Sequence, residues 1–243
     1  MEELTEPRTL DHVRRALAST PTVDVHAHRI GLKIEDGALV IAGEVGSVAA
    51  KKLALEAAAA VAPEVRHIVD RLRVEPAERQ GDRQVRDLVC DALIGEPALA
   101  EAGIYVHDKG RVDALRAPDA SRGRIDVTVA EGVVTLDGQV PGLDRKRLAG
   151  LLAWWVPGSR DVVNGLAVEP PEDDSDDDIA EAVRLALEKN PFIHAGQIRV
   201  GVRARVVTLA GAVASTSERA MAENDAWCIF GVDRVINRIE LRP

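Results

Sequence analysis

Gly132–Val140, GVVTLDGQV, lies near the middle of the 243-residue chain, and the architecture can be worked out from it. Its β-branched residues alternate loosely with polar ones between Gly132 and Gly138, the pattern of a short strand entered through a tight turn. Ala130-Glu131-Gly132 reads as the reversal of a β-hairpin whose first arm is Ile125-Asp126-Val127-Thr128-Val129. The phrase recurs upstream as Gly37–Val45, GALVIAGEV, and downstream as Arg205–Val213, RVVTLAGAV. A supersecondary unit written three times implies a tandem array.

The residues C-terminal to each copy repeat as well. From Gly138 to Gly158 is 20 positions, from Gly211 to Gly231 is 20, and from Gly43 to Glu64, which replaces the glycine, is 21. Each interval holds a helical run: Ser47–Ala62, Asp144–Val156 and Thr216–Phe230. A second strand comes next, at Val65–Leu72, Ser159–Leu166 and Val232–Ile239. Another helix precedes each hairpin, at Thr9–Ser19, Asp82–Leu93 and Asp177–Glu188. The fold expected is α+β, with three tandem α-β-β-α-β modules. Each is a small three-stranded mixed sheet packed against helices, its last strand parallel to the one before the helix. The boundaries expected are 1–76, 82–170 and 176–243.

The pattern acidic-Gly-x-V-x-L-x-G-x-V, then a helix, then G-V-x-x-V-x-N-x-[LIV], resembles the BON domain, a lipid-associated module of bacterial envelope proteins. Glu131–Val140 with Gly158, Val162, Val163, Asn164 and Leu166 carries it best. The third copy has Arg203-Ala204-Arg205 where the acid-Gly pair is expected, and the first has Asp70 for the Asn. The repeat-defining glycines are Gly43, Gly132, Gly138, Gly158, Gly211 and Gly231, read as turn and close-packing positions rather than phosphate ligands. The resemblance implies a non-enzymatic binding or scaffold protein, docking to a phospholipid surface or to an envelope-associated protein. The alternative it implies is a cytoplasmic sensor of a small ion, of the potassium-binding type, or of another ligand.

Composition narrows the partners. The chain is 46% hydrophobic but only 2% aromatic, so Val, Leu, Ile and Ala must fill the cores. Net charge is −9, divided as −2, −3 and −4 over residues 1–81, 82–171 and 172–243. No basic stripe with stacking aromatics stands out, which disfavours nucleic acid. The same sign counts against non-specific attachment to an anionic membrane. No apolar run reaches transmembrane length, and the start, MEELTEPRTLDHVRR, lacks the features of a secretory signal, so the expectation is a cytoplasmic protein, at most peripheral to the membrane. Cys90 and Cys228 are expected as buried free thiols. Exposed edges of small sheets make a homo-oligomer a further expectation.

Four features could carry function. Arg145-Lys146-Arg147 opens a helix that Trp154 closes, a combination suited to a membrane interface, and these four residues are the candidate lipid or partner surface. Leu148, Leu151, Leu152 and Trp155 share one face of that helix, which places Trp155 in the core. Trp154 and Trp227 each stand four before a glycine, a recurrence that favours packing. Residues Tyr105 to Arg122 are an insertion, read as loop with a short strand at Ile104–His107 and turns at Asp108-Lys109-Gly110 and Ala117-Pro118-Asp119. Pro170–Asp178, acidic in six of its last seven residues, reads as a solvated linker capping the helix that begins near Ile179. Asp24-Val25-His26-Ala27-His28 would place an Asp and two His on one strand face, like the first-strand motif of metal-dependent amidohydrolases. The remaining His are too few to complete that site, so hydrolysis is the outlying reading and a solvent-facing strand edge the expected one. No cofactor and no metal centre are expected.

Overall fold

The computed structural model describes residues 6–117 and 122–242. The chain divides into two compact units, Met1–Glu75 and Pro76–Pro243.

The first unit runs α1 (Glu6–Ser19), β1 (Ile30–Glu35), β2 (Ala38–Val45), α2 (Val48–Val61) and β3 (Ile68–Val74). β1 pairs antiparallel with β2, and β3 returns parallel to β2 after the crossover helix. Ser47 caps α2, its side chain accepting from the Ala50 N–H at 3.1 Å. Ala50, Ala54 and Ala58 are buried at successive helical turns, so α2 settles close onto Leu39, Ile41 and Leu72. Small side chains do here what aromatics do in richer cores.

The second unit holds two modules. Its first runs α3 (Asp82–Gly95), β4 (Gly103–Asp108), β5 (Arg111–Arg116), β6 (Arg124–Ala130), β7 (Val133–Val140), α4 (Leu143–Trp155), β8 (Asp161–Asn164) and β9 (Ala167–Val168). Its last runs α5 (Asp176–Lys189), β10 (Ile198–Arg203), β11 (Val206–Val213), α6 (Thr216–Cys228) and β12 (Arg234–Leu241). Both repeat the antiparallel hairpin and the parallel return strand.

The insertion holds the expected strand, β4, and the expected turn after Asp108, but continues into a second strand, β5, in place of a loop. β4 and β5 make a β-hairpin whose first strand pairs parallel with β6, so the middle sheet has six strands in place of three. Backbone groups of an inserted segment are satisfied by extending an open sheet edge, which a polar loop reading overlooks. Lys109 and Gly110, both at positive φ, form its turn. The Ala117-Pro118-Asp119 turn signal falls partly outside the described residues.

The signature residues have local causes. The hairpin reversals Asp36-Gly37, Glu131-Gly132 and Ala204-Arg205 all have two successive positive φ values, the two-residue turn that matches strand twist. A second requirement falls on Gly43, Gly138 and Gly211. A Cβ there would stand 2.2, 2.3 and 2.0 Å from the carbonyl oxygens of Arg29, Arg124 and Gln197 on the facing arm. The glycine of the repeated phrase is therefore set by backbone approach within the hairpin.

The Asn of the motif ties strand to helix. The Asn164 amide donates to the Lys146 carbonyl at 2.7 Å, and the Asn237 amide to the Arg219 carbonyl at 3.2 Å. In the first unit Asp70 cannot donate. It instead pairs at 2.8 Å with the buried ammonium of Lys51, which stands where Lys146 and Arg219 stand in the other copies.

Candidate functional site

The helix α4 is buried on two sides, because both modules of the second unit use it. Ala149, Ala153 and Val156, with Leu152, face the middle sheet's core. Leu148 and Leu151, 4% and 1% exposed, line a cleft shared with α5. The single apolar face expected from periodicity is two faces. Trp155 is accordingly half-buried, not core, and its indole N–H donates to Asp225 of α6 at 2.9 Å. Trp154 is half-buried, while Trp227, its counterpart, is 2% exposed.

The four candidate surface residues do not form one open basic face. Arg147 is 2% exposed; its Nε donates to the Phe230 carbonyl at 3.0 Å, and its guanidinium pairs with Asp174. Lys146 is half-buried with its ammonium 4.4 Å from the Phe230 ring centroid, and burial holds its pKa below the ordinary lysine value. Arg145 is half-buried, donating to the Pro141 carbonyl at 2.7 Å and lying 3.6 Å from Asp144. The run of three cations is largely spent on joining the modules.

The acidic linker does the matching work, and is more than a solvated cap. Glu172 accepts from the Leu143 N–H at 2.9 Å, at the start of α4. Asp174 takes Arg147 and also lies 3.6 Å from Arg205. Asp176 accepts from the turn amides of Ala204 and Arg205, and Ser175 with Asp178 forms a capping box that starts α5. Gly231 closes this corner at φ +95°, where a Cβ would meet Asp174 at 3.2 Å and Arg147 at 3.4 Å.

The opposite side of the last module carries a basic face that motif reading missed. Strand register places Arg199, Ala210 and Arg238 in one row across β10, β11 and β12. Arg203, Val206 and Arg234 form another, with Gly201, Thr208 and Ile236 between them. The residues of these rows alternate along their strands with the buried Ile198, Val207, Leu209, Val235 and Ile239, so they share the outer face. Strand spacing and rise put the four arginines at the corners of a rectangle of roughly 10 by 13 Å. Arg242 extends the face and pairs with Glu240 at 2.9 Å. Arg199, Arg203 and Arg238 are exposed, and among the described residues no carboxylate lies within ion-pair distance of them. The matching face of the middle module is neutralised, with Arg124 and His107 both on Asp126 at 2.6 Å. Its carboxylate is held below the usual range, first by Arg124 and then by His107.

The remaining motifs lead elsewhere. Asp24–His28 forms a turn and not a strand edge, since Asp24 accepts from the His26 and Ala27 amides at 3.0 and 2.9 Å. Those bonds hold the Asp24 carboxyl below its ordinary pKa. Among the described residues no group of three or more His, Cys, Asp or Glu is placed to hold a metal ion. Cys90 and Cys228 are buried and free, and burial pushes the Cys90 thiol up to about 12. No described helix is long and apolar enough to cross a membrane.

Two solved structures of CdsD, a structural protein of the type III secretion system of Chlamydia trachomatis, one of them its C-terminal domain, are 14% and 15% identical to the chain. Each alignment covers 96% of this chain, with 96% and 92% of the other, at a TM-score of 0.25. No curated protein matches. The family model of the BON domain matches residues 7–76, 113–170 and 175–243. Its second match begins inside β5, beyond α3 and β4, where the inserted hairpin separates the helix from the rest of its module. With three such matches spanning most of its length, and a glycine-dependent hairpin in each, the chain belongs to the BON domain family.

Proposed function

We propose that the chain is a non-enzymatic docking protein that attaches to an anionic phospholipid surface through the outer face of its last sheet. The observation that carries this reading is the five arginines of β10, β12 and the residue after it, set around Gly201, Thr208, Ala210 and the exposed Ile236, with Glu240 among them. Net charge of −9 does not oppose it, because attachment is decided by the local field within a Debye length of the headgroups. Each basic residue held at an anionic leaflet contributes roughly 1 kcal/mol, so such a face supports reversible binding. The face carries no aromatic ring, which favours headgroups over the stacked bases of single-stranded nucleic acid.

Co-sedimentation with phosphatidylglycerol-containing vesicles tests this. Binding that weakens as salt rises, with none to neutral phosphatidylcholine vesicles, supports the reading. Equal binding to both, or none to either, contradicts it.

A further inference from the structure

A second surface of the two-module unit has the opposite character. The cleft between α4 and α5 encloses about 630 Å³, within the usual range of ligand sites. Its floor is Leu148, Leu151, Leu185 and Ile229, and Leu185 remains 37% exposed. Carboxylates of Asp144, Asp173, Asp178, Glu181 and Glu188 stand round it. The two guanidiniums present are already engaged, Arg147 by Asp174 and Arg184 by Glu181 at 3.3 Å. Asp173 and Glu188 have no cationic partner among the described residues.

We propose that this cleft docks an amphipathic helix of a protein partner, with Lys and Arg flanking its apolar face. An apolar floor takes an apolar ridge, and the carboxylate rim attracts cations while repelling phosphate-bearing surfaces. The lining stretches Leu143–Leu151 of α4 and Asp178–Glu188 of α5 span about 12 and 15 Å at the helical rise, room for two to three turns of a bound helix. Such a segment offers anchors at i, i+3 or i+4, and i+7, as helix-in-groove recognition requires. The partner side and the lipid side of the unit are therefore separate and oppositely charged.

The test uses the full chain and a labelled 18-residue peptide with Leu at helical i, i+3, i+4, i+7 spacing and Lys elsewhere, monitored by fluorescence anisotropy. Saturable one-to-one binding is expected. A scrambled peptide of the same composition, and one with Glu for Lys, should not bind. Glu181→Lys/Glu188→Lys, both on the exposed face of α5, should weaken binding about tenfold or more. The same charge change elsewhere in the unit, Asp91→Lys/Asp113→Lys, both exposed and outside the cleft, should leave it unchanged. Equal binding of the scrambled peptide, or equal loss from the two double variants, overturns the proposal. So does a dimer in sedimentation equilibrium that Leu185→Asp dissolves, since a second copy would then be the occupant.

Discussion

Asp176, in the first turn of α5, grips the hairpin turn of its own module: one oxygen accepts from the Arg205 N–H at 2.9 Å, the other from Ala204 at 2.7 Å. Asp82 does the same in the middle module, taking Glu131 and Gly132 at 2.9 and 2.8 Å. The clamp explains how the third copy tolerates Ala204 and Arg205 at φ +49° and +61° without glycine. A left-handed residue with a Cβ costs roughly 1–2 kcal/mol, and bonds to a carboxylate offset it. Asp176→Ala should lower stability by about 2 kcal/mol in urea unfolding. Ala204→Gly should raise it by about 1 kcal/mol. An Asp176→Ala protein as stable as its parent would contradict the clamp.

The close-approach glycines should be intolerant. At Gly211 and Gly138 a methyl group meets a carbonyl oxygen at 2.0 and 2.3 Å, a collision that only backbone movement relieves. Gly211→Ala is expected to cost about 3 kcal/mol or more, against about 1 kcal/mol of gain for a helical Gly→Ala change with space. Gly95, at the end of α3 with no atom within 4 Å of an added methyl, is the control. Thermal melts of the two variants compare them directly.

Arg147 and Asp174 join the two modules of the second unit. Arg147 is 2% exposed, so Arg147→Ala empties a buried site and takes the donor from the Phe230 carbonyl as well as the charge from Asp174, and should destabilise by about 2–4 kcal/mol. Arg147→Lys should not restore it fully, because Lys cannot serve Phe230 and Asp174 with a planar fork. Chemical unfolding of the whole chain, monitored by tryptophan fluorescence, reads the loss. Full retention in the Lys variant would argue that a point charge suffices there.

Asp225 makes stability depend on pH. It is 3% exposed, accepts from Trp155 and Asn190 at 2.9 and 2.7 Å, and burial raises its pKa above the ordinary 3.8. A folded-state pKa above the unfolded one means the fold prefers the proton, so the ionised group opposes folding at neutral pH. That penalty is relieved as pH falls through the raised value and is gone below 3.8. The stability of the parent relative to Asp225→Asn should rise on acidification from pH 7 and then level off. A difference that stays constant with pH would remove Asp225 from this role.

Much of the fold was legible because hairpin and crossover leave local signatures: paired positive-φ residues, glycines at a fixed offset, an Asn that reaches back to its helix. Of the inserted hairpin the first strand and its Asp108-Lys109-Gly110 turn were legible and the second strand was not, since Arg111–Arg116 alternates charge with Val and Leu that remain exposed, and the pairing of the whole is fixed by a distant edge, β6. The fate of Arg145-Lys146-Arg147 was hidden for a related reason. A basic helix start reads the same whether it meets headgroups or the Asp174 carboxylate, and 27 positions separate Arg147 from that partner. The arginine face was hidden by averaging. Five of the nine basic residues of 172–243 lie on one side of the sheet, while the acids collect at the linker, so the summed charge of −4 concealed both.

Attachment through the last sheet is tested most sharply by vesicle binding of charge-reversed variants. Arg199→Glu/Arg238→Glu, both exposed on the outer sheet face, should reduce binding to phosphatidylglycerol vesicles by about tenfold or more. Arg145→Glu/Lys146→Glu, on the helix that joins the modules, should change it much less. Undiminished binding in the sheet variant, with loss in the helix variant, would return the membrane surface to α4 and refute attachment through the arginine face.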